Sequence, residues 1–248
     1  MKVALVVAAI AVATIAQDDN YIEIVGGHEA TTGQHRYVAG LKRSATTRSL
    51  CGGSLIASNV ILTAAHCTGN GLSHAVVGSH FLTGSSDGVP VKITKEIPHP
   101  QYVASTHSND VAILLLDRNV TTITPVTVSF EAVPANVLTW VRGWGTISSS
   151  GPQSQVLKEV SVKTWDNAKA AAALKPSKVD NTMVAAGGLA GEDSCQSDSG
   201  GPLTIEQNGV ARLVGVVSWG NGCGDLNNPG VYGRLNTARS FIEPYLVK

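Results

Sequence analysis

Three short stretches carry side chains that could do covalent chemistry together. Gly191-Glu192-Asp193-Ser194-Cys195-Gln196-Ser197-Asp198-Ser199-Gly200-Gly201-Pro202-Leu203 sets Ser199 between an aspartate and two glycines. Glycines permit the backbone conformations of a tight turn, which would present the Ser199 hydroxyl outward and aim neighbouring N–H groups at one point. Alone this is a weak signal, because ordinary surface loops use the same residues. Thr63-Ala64-Ala65-His66-Cys67 adds a histidine, and Ser108-Asn109-Asp110 adds an aspartate at the head of the apolar run Val111 to Leu116. A nucleophile, a base that takes its proton and a carboxylate that orients the base are the parts of an acyl-transfer site.

The elements that must position these groups read as short strands. The 248-residue chain holds 26 glycines, has few long helical patterns and carries enough apolar residues for a core. Ser49 to Ile56 and Val60 to Thr63 form two strands about a polar turn at Ala57 to Asn59. Residues Ala75 to Pro98 alternate apolar and polar side chains between turns, as half-exposed strands do. The run Val111 to Leu116 suits a strand buried on both faces, so Asp110 loses hydration and needs hydrogen-bond partners. Two helices are expected. One is Trp165 to Lys175, opened by Asp166 and stopped by Pro176; the other is Asn236 to Val247, cut short by Pro244. His28, His35, His74, His80, His99 and His107 lack the flanking context of His66 and are expected at the surface.

The formal net charge is zero, which argues against nucleic acid or an anionic membrane as the main partner. Lys2 followed by the apolar run Val3 to Ala16 has the build of a secretory signal peptide, removed after Ala16 or Ala13; a buried first helix is the bland alternative. That run falls short of the about 20 residues a membrane span needs. A secreted, extracellular, soluble protein is expected, most simply a monomer. Asn119-Val120-Thr121 is a glycosylation sequon.

The order His66, Asp110, Ser199 joins Ile24-Val25-Gly26-Gly27, Gly143-Trp144-Gly145, Val217-Ser218-Trp219-Gly220 and Pro229-Gly230-Val231-Tyr232. Across nearly all of residues 24 to 248 the chain resembles a secreted trypsin-like serine protease of the chymotrypsin family. The resemblance implies an all-β fold of two antiparallel six-stranded β-barrels, roughly 24–125 and 126–248, with the active site in the cleft between them and a short C-terminal helix. Residues 1–16 would be the signal peptide and 17–23 a pro-segment.

The same resemblance assigns the parts. His66, Asp110 and Ser199 are the catalytic residues, with the Ser218 hydroxyl as a second partner for Asp110, and the backbone N–H groups of Ser197 and Ser199 form the oxyanion hole. Asp193 lies at the base of a substrate pocket walled by Ser194 to Gln196 and by Ser218, Trp219 and Gly220, with Gly230 at the back; its carboxylate favours Arg or Lys. Cutting before Ile24 frees an ammonium that pairs with Asp198. Four cysteines allow three pairings, and the family pattern selects Cys51–Cys67 and Cys195–Cys223. Two departures stand out: Ser197 occupies a glycine position, and Glu23 replaces the usual Arg or Lys before the cut. The stretch Gly78 to Gly88 contains only Asp87 as a carboxylate, so no calcium site is expected, and no other metal or cofactor either. The implied activity is extracellular cleavage after Arg or Lys. Its partners are protein or peptide substrates, with protein protease inhibitors as a further class. The alternative is a protease homologue with weak or no activity that serves as a protein-binding or inhibitor module.

Overall fold

Apolar runs of four to seven residues, bounded by glycine and polar turns, are too short for helices and pair instead as strands. The structure, a computed structural model, describes residues 27–83, 86–146, 151–189, 197–222 and 224–246. After a two-residue strand β1 (His28–Glu29), the first half comprises β2 (Val38–Lys42), β3 (Cys51–Ala57), β4 (Val60–Thr63), β5 (His74–Val77), β6 (Val89–Pro98) and β7 (Ala112–Leu116). The strands β2 to β7 close into an antiparallel barrel in the order β2-β3-β4-β7-β6-β5. Leu41, Leu55, Ile61, Leu62, Ile113 and Leu114 of these strands are all fully buried.

The second half comprises β8 (Thr127–Val128), β9 (Leu138–Gly143), β10 (Lys158–Lys163), α1 (Asn167–Ala173), β11 (Met183–Ala186), β12 (Pro202–Gln207), β13 (Val210–Trp219), β14 (Gly230–Arg234) and α2 (Arg239–Ile242). Its sheet runs β1-β10-β9-β12-β13-β14-β11, with β8 lying parallel to β13. Bonds from Trp165 N–H to Ala185 O (2.8 Å) and from Gly187 N–H to Lys163 O (3.0 Å) return β11 to the end of β10. The sheet thereby wraps around Val141, Val160, Leu203, Val217 and Tyr232. The termini cross over: β1 joins the second sheet, while Phe241 of α2 packs on His99 of the first half, ring centres 4.8 Å apart.

Local chemistry explains the helices. The Asp166 carboxylate accepts the N–H groups of Ala168 and Lys169 at 3.0 and 3.1 Å, the N-cap pattern. The C-terminal helix is shorter than its sequence suggests, because the chain tightens to a 3₁₀ turn over Glu243–Tyr245 around Pro244. The sequon residues Asn119 and Thr121 are exposed in the loop after β7.

The histidine expectation needs correction. His35, His80 and His99 are buried, each against groups that the fold brings to it. His80 Nε2 meets Glu29 Oε1 at 2.7 Å, His99 Nδ1 accepts the Gln101 N–H, and His35 Nε2 lies 3.3 Å from Glu159 Oε2. Glu159 belongs to a buried charge cluster that joins the halves. Arg142, 1% exposed, donates from Nε to Glu159 Oε2 (2.8 Å), and to Thr204 Oγ1 (2.8 Å) and Tyr37 Oη (3.3 Å). It also pairs with Glu206. Burial pushes the Glu159 carboxyl up, but His35 and the Arg142 guanidinium outweigh it and bring its pKa down to about 2.

A carboxyl depressed in the folded state contributes stability above its unfolded pKa, about 4.3, and loses it as pH falls through the folded value. Glu159→Gln leaves Arg142 short of a buried counter-charge and should cost about 3 kcal/mol near neutral pH. Urea unfolding of both proteins checks this. The gap should shrink as pH approaches 2, and a gap independent of pH would contradict it.

Candidate active site

Asp110 is placed by the strand that follows it. It lies two residues before β7, and its side chain is fully buried at the seam between the halves. His66 sits on a 3₁₀ turn, Ala65–Cys67, directly after β4, the strand paired with β7. The Cys51–Cys67 disulfide closes the β3–β4 hairpin at a sequence separation of 16 and so fixes the backbone beside His66. His66 offers Asp110 two bonds: its backbone N–H reaches Oδ1 at 2.9 Å and its ring Nδ1 lies 2.7 Å from Oδ2. The Ser218 hydroxyl, from β13, donates to the same Oδ2 at 2.5 Å.

Burial by itself would raise the Asp110 carboxyl. The neighbouring imidazoles of His107 and His66 and the Ser218 hydroxyl hold it far below the usual carboxylate range. His107 Nδ1 stands 3.7 Å from Oδ2, beyond hydrogen-bond distance. A histidine whose Nδ1 proton is held by a carboxylate keeps Nε2 as the free base.

Ser199 arrives from the other half. Its carbonyl accepts the Gly52 N–H of β3 at 2.7 Å, and Gly200 N–H bonds Val217 O at 2.8 Å. The Cys67 sulfur lies 3.6 Å from the Ser199 carbonyl oxygen and 3.9 Å from His66 Nε2, so ring and serine backbone share one neighbouring atom. Among the described residues the Ser199 hydroxyl makes no hydrogen bond to the ring. Free sites of this chemistry often tighten only around substrate.

Two glycines permit this approach. A Cβ on Gly200, whose φ is +81°, would sit 2.1 Å from Thr63 Oγ1 and 2.5 Å from Gly52 O. One on Gly52 would sit 2.9 Å from the Gly201 Cα. On the opposite side, Asn109 N–H bonds Thr182 Oγ1 at 3.0 Å and Ser108 Oγ bonds Asp180. Backbone contacts across the seam thus bring the His66–Asp110 pair and the Ser199 loop to one place.

The family model described as Trypsin matches residues 24–242. The chain belongs to the trypsin family. Among its relatives, glucanase inhibitor protein 2 of Phytophthora infestans is 36% identical over 229 residues, covering 89% of this chain and 88% of that protein. Trypsin eta of Drosophila erecta is 34% identical over 242 residues, covering 93% and 92%.

Within this trypsin-family chain, Asp198 is buried and its Oδ1 accepts the Gly145 N–H at 2.8 Å. A Cβ on Gly143 or Gly145 would each strike that carboxylate at 2.1 Å, which accounts for both glycines of Gly143-Trp144-Gly145. Ser218 is buried, Trp219 half-buried and Gly220 exposed. The Cβ position of Gly220 faces the Gly230 Cα at 3.9 Å. Thr106, His107, Lys178, Trp219 and Gly220 border a groove of about 500 Å³. Ile24, Asp193, Ser194, Cys195, Gln196 and Cys223 lie outside the described residues.

His107 is the residue that sequence reading missed. Its position three residues before Asp110 was the only available signal. The Asp87 carboxylate accepts Ser79 Oγ (2.8 Å), the Phe81 N–H (3.1 Å) and the His80 N–H, and so organises its own loop. One ring nitrogen each of His66 and His107 and an Asp110 oxygen lie within 4.8 Å of one another and could hold a cation.

Ser197 adopts φ +75°, the left-handed region that glycine favours. That conformation costs a side-chain-bearing residue about 1–2 kcal/mol, against the about 0.5–1 kcal/mol of extra chain entropy a glycine would lose. Ser197→Gly should therefore raise stability by about 0.5–1 kcal/mol. Gly200→Ala, clashing with Thr63 and Gly52, should lower it by about 3 kcal/mol or more. Thermal unfolding of both variants distinguishes the two positions; a destabilised Ser197→Gly would contradict the strain assigned there.

Proposed function

We propose that the chain is a secreted serine endopeptidase that hydrolyses peptide bonds after Arg or Lys. The observation that carries this reading is the buried Asp110 carboxylate. It receives both N–H groups of His66 and the Ser218 hydroxyl at a seam that also holds the Ser199 loop. In this reading the Ser199 hydroxyl attacks the substrate carbonyl while His66 Nε2 takes its proton, and Asp110 stabilises the resulting imidazolium. Backbone N–H groups of Ser197 and Ser199 receive the oxyanion, and a serine at 197 still supplies that donor. His66 then returns the proton to the departing amine. Water, activated by the same base, releases the acyl group. Asp193 meets the cationic substrate side chain, because an apolar one would leave its charge unpaired.

Secretion follows from the Lys2 to Ala16 segment, and among the described residues no helix is long and apolar enough to cross a membrane. Activation would come from a cut before Ile24 whose new ammonium joins the buried Asp198. Glu23 at that junction implies a separate activating protease rather than self-cleavage. A second reading has its own support: relatives along most of the chain are named glucanase inhibitor proteins. On that reading the same scaffold binds a glucanase and blocks it, and the strained Ser197 turn is tolerated because turnover is not required.

An organophosphate probe on the chain cut before Ile24 separates the readings. The endopeptidase reading expects label on Ser199 and better cleavage after Arg than after Phe. It also expects Asp110→Asn to lower kcat by about 10⁴-fold. No label together with inhibition of a glucanase would replace it with the second.

A further inference from the structure

We propose that His66, His107 and Asp110 together form a site for a divalent transition-metal cation of the zinc type, and that occupancy switches off the His66 base. Metal binding does not depend on the endopeptidase reading; only its consequence for turnover does.

The argument starts from His107. It is held at φ +56° and its neighbour Asn109 at +55°, both in the left-handed region that residues with a Cβ seldom adopt. The His107 ring lies edge-on to the His66 ring with centres 5.8 Å apart. The result is a buried Nδ1 with no hydrogen-bond partner, facing a fully buried carboxylate at 3.7 Å. Two imidazoles and a carboxylate are the donor set that zinc and its neighbours prefer, and three protein ligands leave a fourth position open.

The spacing fits. Ligands on a tetrahedral zinc with bonds of 2.0–2.1 Å lie about 3.3 Å apart. The two distances to Asp110 Oδ2, 2.7 Å from His66 Nδ1 and 3.7 Å from His107 Nδ1, bracket that value, and one ligand atom from each of the three residues lies within 4.8 Å of the other two. The carboxylate is already oriented from behind, by the Ser218 hydroxyl on Oδ2 and the His66 backbone N–H on Oδ1. Such outer partners strengthen a metal ligand. The side chains of His66 and His107 are 23% and 36% exposed, which leaves a path from solvent along the groove.

Binding displaces the Nδ1 proton of His66 and puts the cation where that proton met Asp110. The freed proton goes to solvent. With the Nδ1 lone pair on the metal and a positive charge beside the ring, Nε2 becomes a poor proton acceptor.

Isothermal calorimetry with zinc chloride on the full chain tests the site, and cobalt(II) absorption gives a second readout that needs no variant. One equivalent should bind, with tetrahedral cobalt bands in the visible. His107→Asn, which keeps a residue suited to positive φ, should weaken binding roughly tenfold or more, while His74→Ala should leave it unchanged. Should the chain hydrolyse peptides, zinc should inhibit over the same concentration range and a chelator should restore activity. No heat and no cobalt bands, or binding undiminished in His107→Asn, would overturn the proposal. Loss of turnover for any other reason leaves the calorimetric result standing.

Discussion

A carboxylate with no access to water is the constraint on which the rest of this molecule depends. Asp110 cannot be buried ionised unless several donors are fixed around it. Those donors come from separate parts of the chain: His66 from the turn after β4 and Ser218 from β13 in the other half. Removing any one element would leave a buried charge short of partners. The stability of the seam and the geometry of the site are therefore one problem with one solution.

Backbone contact does the remaining work of alignment. Where the Ser199 loop meets the first barrel, Gly200 and Gly201 lie against Gly52 and the Thr63 hydroxyl, and the packing leaves no room for a side chain on any of these glycines. Such contacts fix position more tightly than flexible side chains could. On the far side the Arg142 cluster ties Tyr37 and His35 to Glu159 and Thr204, so charge as well as apolar packing holds the halves together. Local rules are broken at Ser197, φ +75°, two residues before Ser199, as they are at His107 and Asn109. A strained residue next to reactive chemistry is where a conflict between folding and function would be expected.

Much of this was legible from residue order alone. Period-two alternation and glycine-bounded apolar runs marked the strands, and the stretches around His66, Asp110 and Ser199 are ones that the fold brings to one seam. Asp166 and Pro176 marked the internal helix to within a few residues. Other features were not legible, for a common physical reason: they depend on contacts between distant segments. His35, His80 and His99 read as surface residues because Glu159, Glu29 and the Phe241 ring cannot be located without the fold. His107 also reads as a surface residue, because its approach to Asp110 and to the His66 ring appears only in the folded chain. The crossing of β1 to the second sheet likewise leaves no mark in a two-residue strand.

The central claim is that an ionised Asp110 holds the Nδ1 proton of His66. Proton magnetic resonance reads that bond directly. A single exchangeable imidazole proton should resonate far downfield of the amide envelope and vanish in Asp110→Asn while the rest of the spectrum stays folded. A spectrum without that proton, or one in which it survives loss of the carboxylate, would contradict the account.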